Sequence, residues 1–161
     1  MKKYIPILLV SLSFAVVITV DGNGGADHYL IQNAINASNH GDSVLVFPGT
    51  YHENVNFNGK NITVTSYSGE QETIVQPDLN GPAVTLDSGE TEVVFSGFTI
   101  QNAFNSANGG GIYSYNTSAD FKDLIIQNNA AFNMGGGIYI NGGTHSLDNC
   151  KIYGNDVGDT N

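Results

Sequence analysis

The 161-residue chain predicts an all-β solenoid, a tube of stacked parallel coils closed at its N-terminal end by a short capping helix. Three observations predict it. The phrase GGGIY stands at 109–113 and returns at 135–139, 26 residues later. Apolar residues recur at the same interval: Phe98, Leu124 and Cys150 form one column, and Ile100, Ile126 and Ile152 another. Within each unit, as in FSGFTIQN and FKDLIIQN, apolar and polar letters alternate, which marks strands and not helices. A fixed period of this size is the signature of units that bury their apolar side only by stacking on one another.

The elements follow in order. Lys2 and Lys3 precede an apolar run from Ile5 to Phe14, with the proportions of a secretory leader. Small residues at Ser13 and Ala15 put the cut after Ala15, so residues 1–15 read as a signal peptide. The run is too short to span a bilayer, and no transmembrane span is expected after cleavage. Residues 16–42 read as a first strand and a cap. Val16 to Val20 are mostly β-branched and suit a strand. In the loop DGNGGAD (21–27), Asp21, Asn23 and Asp27 loosely resemble a calcium loop but lack its later bidentate glutamate. The same loop is explained without metal by glycines that turn the chain and by Asp27 starting a helix. That helix is expected over 27–40, with Ile31, Ala34 and Ile35 at helical spacing, Asp27 as its cap and Gly41 as its end.

Residues 43–161 read as the coils. SVLVFPG, NITVTS and PAVTLDS (82–88) look like successive rungs, with steps of 18 and 22 residues between the matched valines, isoleucine and leucine. Ile74 is placed on Ile100. Leu86, Ile112 and Ile138 form an inward column, so alternation turns Tyr113, Tyr115 and Tyr139 outward, with Asp87 above Tyr113 and Asn141 beside Tyr139. Two readings of these tyrosines stand. They stabilise neighbouring strands, or they form a flat aromatic platform for a sugar ring or a partner protein. Asn102 and Asn128 read as structural, because asparagine tolerates left-handed backbone and can bond its copy on the next rung. Lys122 and Asp148 are expected as an outward ion pair, and His145 as a surface residue.

Charge narrows the function. The formal charge of −10 would become −12 on loss of Lys2 and Lys3, and the chain has no arginine. A nucleic-acid partner is excluded, since phosphate binding needs a basic stripe. A polyanionic substrate would be repelled unless calcium bridged the two. No cofactor is expected, calcium being the one candidate. Cys150 stands alone and cannot form an internal disulfide.

The stretch TVDGNGGADHYLIQNAINASNHGDSVLVFPGTYHENVNFNGKNITVTS resembles the opening of the pectin-lyase-like right-handed parallel β-helix superfamily. The GGGIY units with FTIQN and LIIQNN are similar to repeats of secreted bacterial β-helix proteins and of polymorphic outer-membrane proteins. The resemblance implies a right-handed parallel β-helix at a bacterial cell surface or outside the cell, an asparagine ladder, and further coils beyond residue 161. GTYHE (49–53) matches the GxYxE motif of pectin methylesterases, but the QDT-, DFIFG- and GRPW-like segments that carry their chemistry are missing. The arginine of pectate lyases is missing too. The expectation is therefore a non-catalytic scaffold for adhesion or polysaccharide binding, with no catalytic residue assigned. The alternatives are the N-terminal part of a pectin-active lyase or esterase, and a structural stalk.

Overall fold

A computed structural model describes residues 14–78 and 80–158. Residues 1–13 of the expected leader and 159–161 of the expected coils lie outside the described residues. The chain is a right-handed parallel β-helix of about five turns. Sheet A stacks Val17–Val20, Ser43–Val46, Thr63–Ser66, Val93–Ser96, Ala119–Lys122 and His145–Asp148. Sheet B stacks Gly49–Tyr51, Thr73–Val75, Thr99–Gln101, Ile125–Gln127 and Lys151–Tyr153. Sheet C stacks Val55–Asn56, Val84–Leu86, Ile112–Tyr115 and Ile138–Asn141. A narrow sheet D holds Phe104–Asn105, Ala130–Ala131 and Asp156–Val157. No helix among the described residues is long and apolar enough to cross a membrane.

The core is built from like residues in register. Ile126 pairs with Ile100 on one side and Ile152 on the other. Ile100 and Ile126 are fully buried, while Ile152, on the last rung, remains 48% exposed. Burying one such side chain stabilises by roughly 1.5–3 kcal/mol. Phe95 stacks on Phe98 at 4.5 Å, and Phe57 meets Phe95 edge-on at 6.1 Å. Outside the tube, amides form a second column: Gln101 donates to Gln76, Gln127 donates to Gln101, and the Tyr153 hydroxyl donates to Gln127. Each amide side chain bonds the next rung because the strand spacing, about 4.8 Å, suits it.

The late columns follow the 26-residue period, and the early ones depart from it. Val44 pairs with Val64, a step of 20 residues and not 18. Val75, not Ile74, pairs with Ile100. The stretch around Val84 does not stack on 61–66; it lies in sheet C on Val55–Asn56, while Val64 pairs with Phe95. Val84, not Leu86, pairs with Ile112, and Leu86 pairs with Ser114. Turn lengths vary freely because they lie outside the stacked core.

The asparagine ladder is one residue later than expected. Asn102 and Asn128 adopt left-handed φ values of 56° and 54°, and Asn102 donates to Gln76. The ladder is made by Asn129 and Asn155. Asn129 accepts from the Ala103 amide and donates to the Ile100 carbonyl, and Asn155 repeats both bonds to Asn129 and Ile126. Asn129 is buried, and its bonds to the backbone of the neighbouring turn keep its own amide paired.

Helix α1 runs Ile31–Ala37, shorter than the expected 27–40. Asp27 does not cap it. Asp27 accepts from the amide and hydroxyl of Thr19 instead, and the N-cap is Leu30, which has no capping side chain. The cap comes from the coil below: Glu53 of GTYHE accepts from the Ile31 amide at 2.8 Å and the Gln32 amide at 2.9 Å. Gly41 does not end the helix either; its C-cap is Ser38. Lys60 serves that end, its ammonium donating to the Ile35, Asn36 and Ser38 carbonyls at 2.6–2.7 Å. A carboxylate at the N-terminus and a cation at the C-terminus both suit the helix dipole. Gln32 then bonds both the amide and the carbonyl of Asn56, so a helix side chain stands in for a neighbouring strand at the edge of sheet C.

Burial pushes the Glu53 carboxyl up while the Gln32 and Ile31 amides pull it down, so truncating Glu53→Ala should cost about 1–2 kcal/mol, the value of a helix N-cap, and Glu53→Gln less. Urea unfolding monitored by circular dichroism checks this, and equal midpoints for Glu53→Ala and wild type would refute the clamp. A second expectation concerns pH. Asp42 accepts from the Asn39 amide at 2.7 Å and the Val16 amide at 2.9 Å, which hold its carboxyl below the ordinary aspartate range. The hydroxyl and amide of Thr19 do the same to Asp27. A depressed folded-state value stabilises the fold above the ordinary value of about 3.9 and loses that contribution as pH falls through the folded-state value. The urea midpoint should therefore drop on acidification below pH ~4, and Asp42→Asn should flatten that drop.

Candidate functional site

The outward residues of sheet C form the site that the sequence singled out. Tyr113 pairs with Tyr139, and Tyr115 with Asn141. Thr85, not Asp87, lies above Tyr113. Two residues further along the strand, Asp87 therefore continues toward Tyr115. Thr85 and Asp87, Tyr113 and Tyr115, Tyr139 and Asn141 thus occupy outward positions on three successive rungs.

The tyrosines are not a flat platform. Tyr113 and Tyr139 are nearly parallel, 8° apart, with ring centroids 5.4 Å apart. That geometry is an offset stack in which the rings overlap like shingles. Tyr139 covers one face of Tyr113. The other face looks toward the previous rung, where Thr85 is too short to continue the column. The result is a groove of about 360 Å³ lined by Tyr113, Thr85, Asp87 and Pro82, with Asn105 and Asn108 from the neighbouring loop. Partial burial against these neighbours, with Tyr139 adding to it, pushes the Tyr113 phenol above its ordinary value. Asn141 donates to the Tyr139 hydroxyl at 3.2 Å, and Tyr115 is 43% exposed.

The groove's walls are held from behind. Asn105 donates to the Asn108 and Gly109 carbonyls and accepts from the Ala107 amide, which shapes the loop. Asn108 Oδ1 is buried without a hydrogen-bond partner. The loop after Asp87 is pinned by Glu90, fully buried, whose carboxylate accepts from the Gly59 and Ser88 amides. The GGG of GGGIY packs the strand leading into Tyr113 against its neighbours. A Cβ on Gly110 would lie 2.4 Å from both the Ala130 and Gly136 carbonyl oxygens. Gly109, at φ +73°, occupies backbone that other residues resist.

The other candidates disperse. Asp21 accepts from the Asn23 amide, and Asp27 is engaged by Thr19. Among the described residues no three His, Cys, Asp or Glu side chains gather to hold a metal ion. Lys122 pairs with Asp120 of its own strand at 3.0 Å and not with Asp148, although Asp148 lies in register beside it. His145 points inward, contrary to expectation. Its Nε2 lies 2.7 Å from the buried Ser114 hydroxyl, its ring stacks on Phe121, and burial lowers its affinity for a proton. In GTYHE, Tyr51 donates to the Phe47 carbonyl at 2.8 Å, and His52 lies 3.0 Å from Asp78. Cys150 is half-buried against the core, and burial pushes its thiol up.

No family model matches the chain. No curated protein matches it either. Among solved structures it resembles a pectin methylesterase D178A mutant in complex with a hexasaccharide, with a TM-score of 0.65 at 16% identity. The match covers 90% of this chain and 50% of that one, so this chain spans about half the length of its structural neighbour. The chain therefore has the pectin-lyase-like β-helix fold.

Replacing Gly110 with alanine should destabilise the coil by about 3 kcal/mol or more, since its methyl would meet two carbonyls that belong to the ladder itself. The same change at Gly25, where nothing lies within 4 Å and only the φ of +97° opposes a side chain, should cost less. Paired thermal melts of the two variants test the contrast.

Proposed function

We propose that the chain is a non-catalytic, secreted or cell-surface scaffold that binds polysaccharide along the outer face of sheet C. The observation that carries this reading is the Tyr113–Tyr139 stack with one ring face open to the 360 Å³ groove. An aromatic face flanked by polar side chains is suited to the apolar face of a sugar ring and its surrounding hydroxyls. A pectin methylesterase of the same fold is in complex with a hexasaccharide, which supports a saccharide as the ligand class. Among the outward positions named above, Asp87 is the one carboxylate, whereas glycoside cleavage calls for a pair. The pectin-active alternative draws on the same neighbour, and it is distinguished by turnover.

Affinity electrophoresis through gels carrying a panel of plant and bacterial polysaccharides should show retardation of the wild type. Tyr113→Ala combined with Tyr139→Ala should reduce the affinity about tenfold or more, as expected on losing a central aromatic anchor. Incubation with methylated pectin should release neither methanol nor unsaturated uronides. Release of either product would replace the scaffold reading with the enzyme one.

A further inference from the structure

We infer that the free face of Tyr113 forms a single-ring subsite for an uncharged sugar and that this subsite rejects uronic acids, an inference that rests on the glycan-binding reading above. The outward column of sheet C runs Asn56, Thr85, Tyr113, Tyr139. Tyrosine stacks on tyrosine for two rungs and then meets threonine. The groove is the space that a third tyrosine would occupy, so its natural occupant is another ring laid on Tyr113. A pyranose fills such a slot with its apolar face against the phenol.

The polar rim decides which sugar enters. Asp87 lines the groove, one carboxylate oxygen accepting from the Ser88 hydroxyl, and its charge already bears on Tyr113. Asn108 lines the same groove, and its buried side-chain oxygen has no donor among the described residues. A turn of that amide toward the groove would give the oxygen a donor from the ligand and end the cost of leaving it unpaired. The Asp87 carboxylate accepts only, and the Asn108 oxygen is the unpaired atom of its amide, so a ligand rich in hydroxyl donors matches both. Among the described residues no lysine lines the groove. Lys60 is held by the carbonyls of α1, Lys122 by Asp120 and Lys151 lies near Glu70. A ligand carboxylate would face Asp87 with no cation to compensate, in a chain of formal charge −10, and like charges at short range repel.

The test is isothermal titration of the whole chain with cellohexaose, a neutral β-linked hexaose, and with hexagalacturonate, each with EDTA and again with calcium. Wild type should bind the neutral hexaose at least tenfold more tightly than the uronate, in line with the reach of one uncompensated charge contact. Thr85→Tyr extends the aromatic column and fills the slot, so it should abolish cellohexaose binding without lowering the melting temperature. Asp87→Asn should weaken cellohexaose binding by about threefold, one neutral hydrogen bond replacing a charged one, and should raise uronate binding. Tighter binding of hexagalacturonate than of cellohexaose, lost in Thr85→Tyr, would overturn the selectivity and leave glycan binding intact. Cellohexaose binding unchanged in Thr85→Tyr would overturn the subsite. Failure of both sugars, with affinity electrophoresis also blank, would overturn the glycan reading itself.

Discussion

A coil of this molecule cannot bury its apolar side alone. Its strands are two to four residues long, and each gains a core only from the coil before it and the coil after it. Parallel pairing in register is the constraint from which the rest follows. It places Ile126 between Ile100 and Ile152 and Asn129 against Asn155. It also sets Tyr139 on Tyr113. It demands glycine where two coils approach closely, because a side chain at Gly110 or Gly136 would displace a carbonyl of the adjacent rung. The repeated GGGIY is thus one steric demand met twice, with isoleucine turned to the core and tyrosine to the outside.

The same constraint makes the first coil vulnerable, since it has a neighbour on one side only. The molecule covers that end with α1 and holds α1 from below. Glu53 and Lys60 belong to the coil that follows the helix, yet they engage its opposite ends. The seven-residue helix is too short to persist in water by itself, so this external capping, together with burial of Ile31, Ala34 and Ile35, is what makes it a helix at all. GTYHE is therefore accounted for as architecture: Tyr51 closes its own turn, and Glu53 clamps the cap.

Much of this was legible in the sequence because a strand has period two. The fold class, the inward isoleucines and the outward tyrosines follow from alternation and the 26-residue interval. Where turns change length, interval matching fails, but its consequences depend on parity. Matching Leu86 to Ile112 was wrong by two residues, and a shift of two keeps every side chain on its face. Leu86 is still buried and Asp87 still exposed. Matching Ile74 to Ile100 was wrong by one, which reverses the face: Val75 is buried and Ile74 only partly so. The clamp on α1 was not legible. Asp27 is a good local capping residue, and nothing local says that a glutamate 22 residues after Ile31 does that work. Nor could sequence tell a flat pair of tyrosines from a shingled one, because ring orientation depends on packing across rungs.

The length change that misled the matching also builds the site. Val84 pairs with Ile112 at a step of 28, whereas Val93 pairs with Ala119 at a step of 26. Two extra residues therefore lie between Leu86 and Val93, in the loop that begins at Asp87. Glu90 sits in this loop and ties it to Gly59 of the previous coil. An insertion in a solenoid costs the core nothing and projects from the surface; here it carries a carboxylate to the rung where the aromatic column stops. A regular repeat would have stacked identical rungs and left a uniform wall. The break in the repeat, a threonine in place of tyrosine beside a loop longer by two, is what turns a structural column of side chains into a groove with an open ring face and a charged rim.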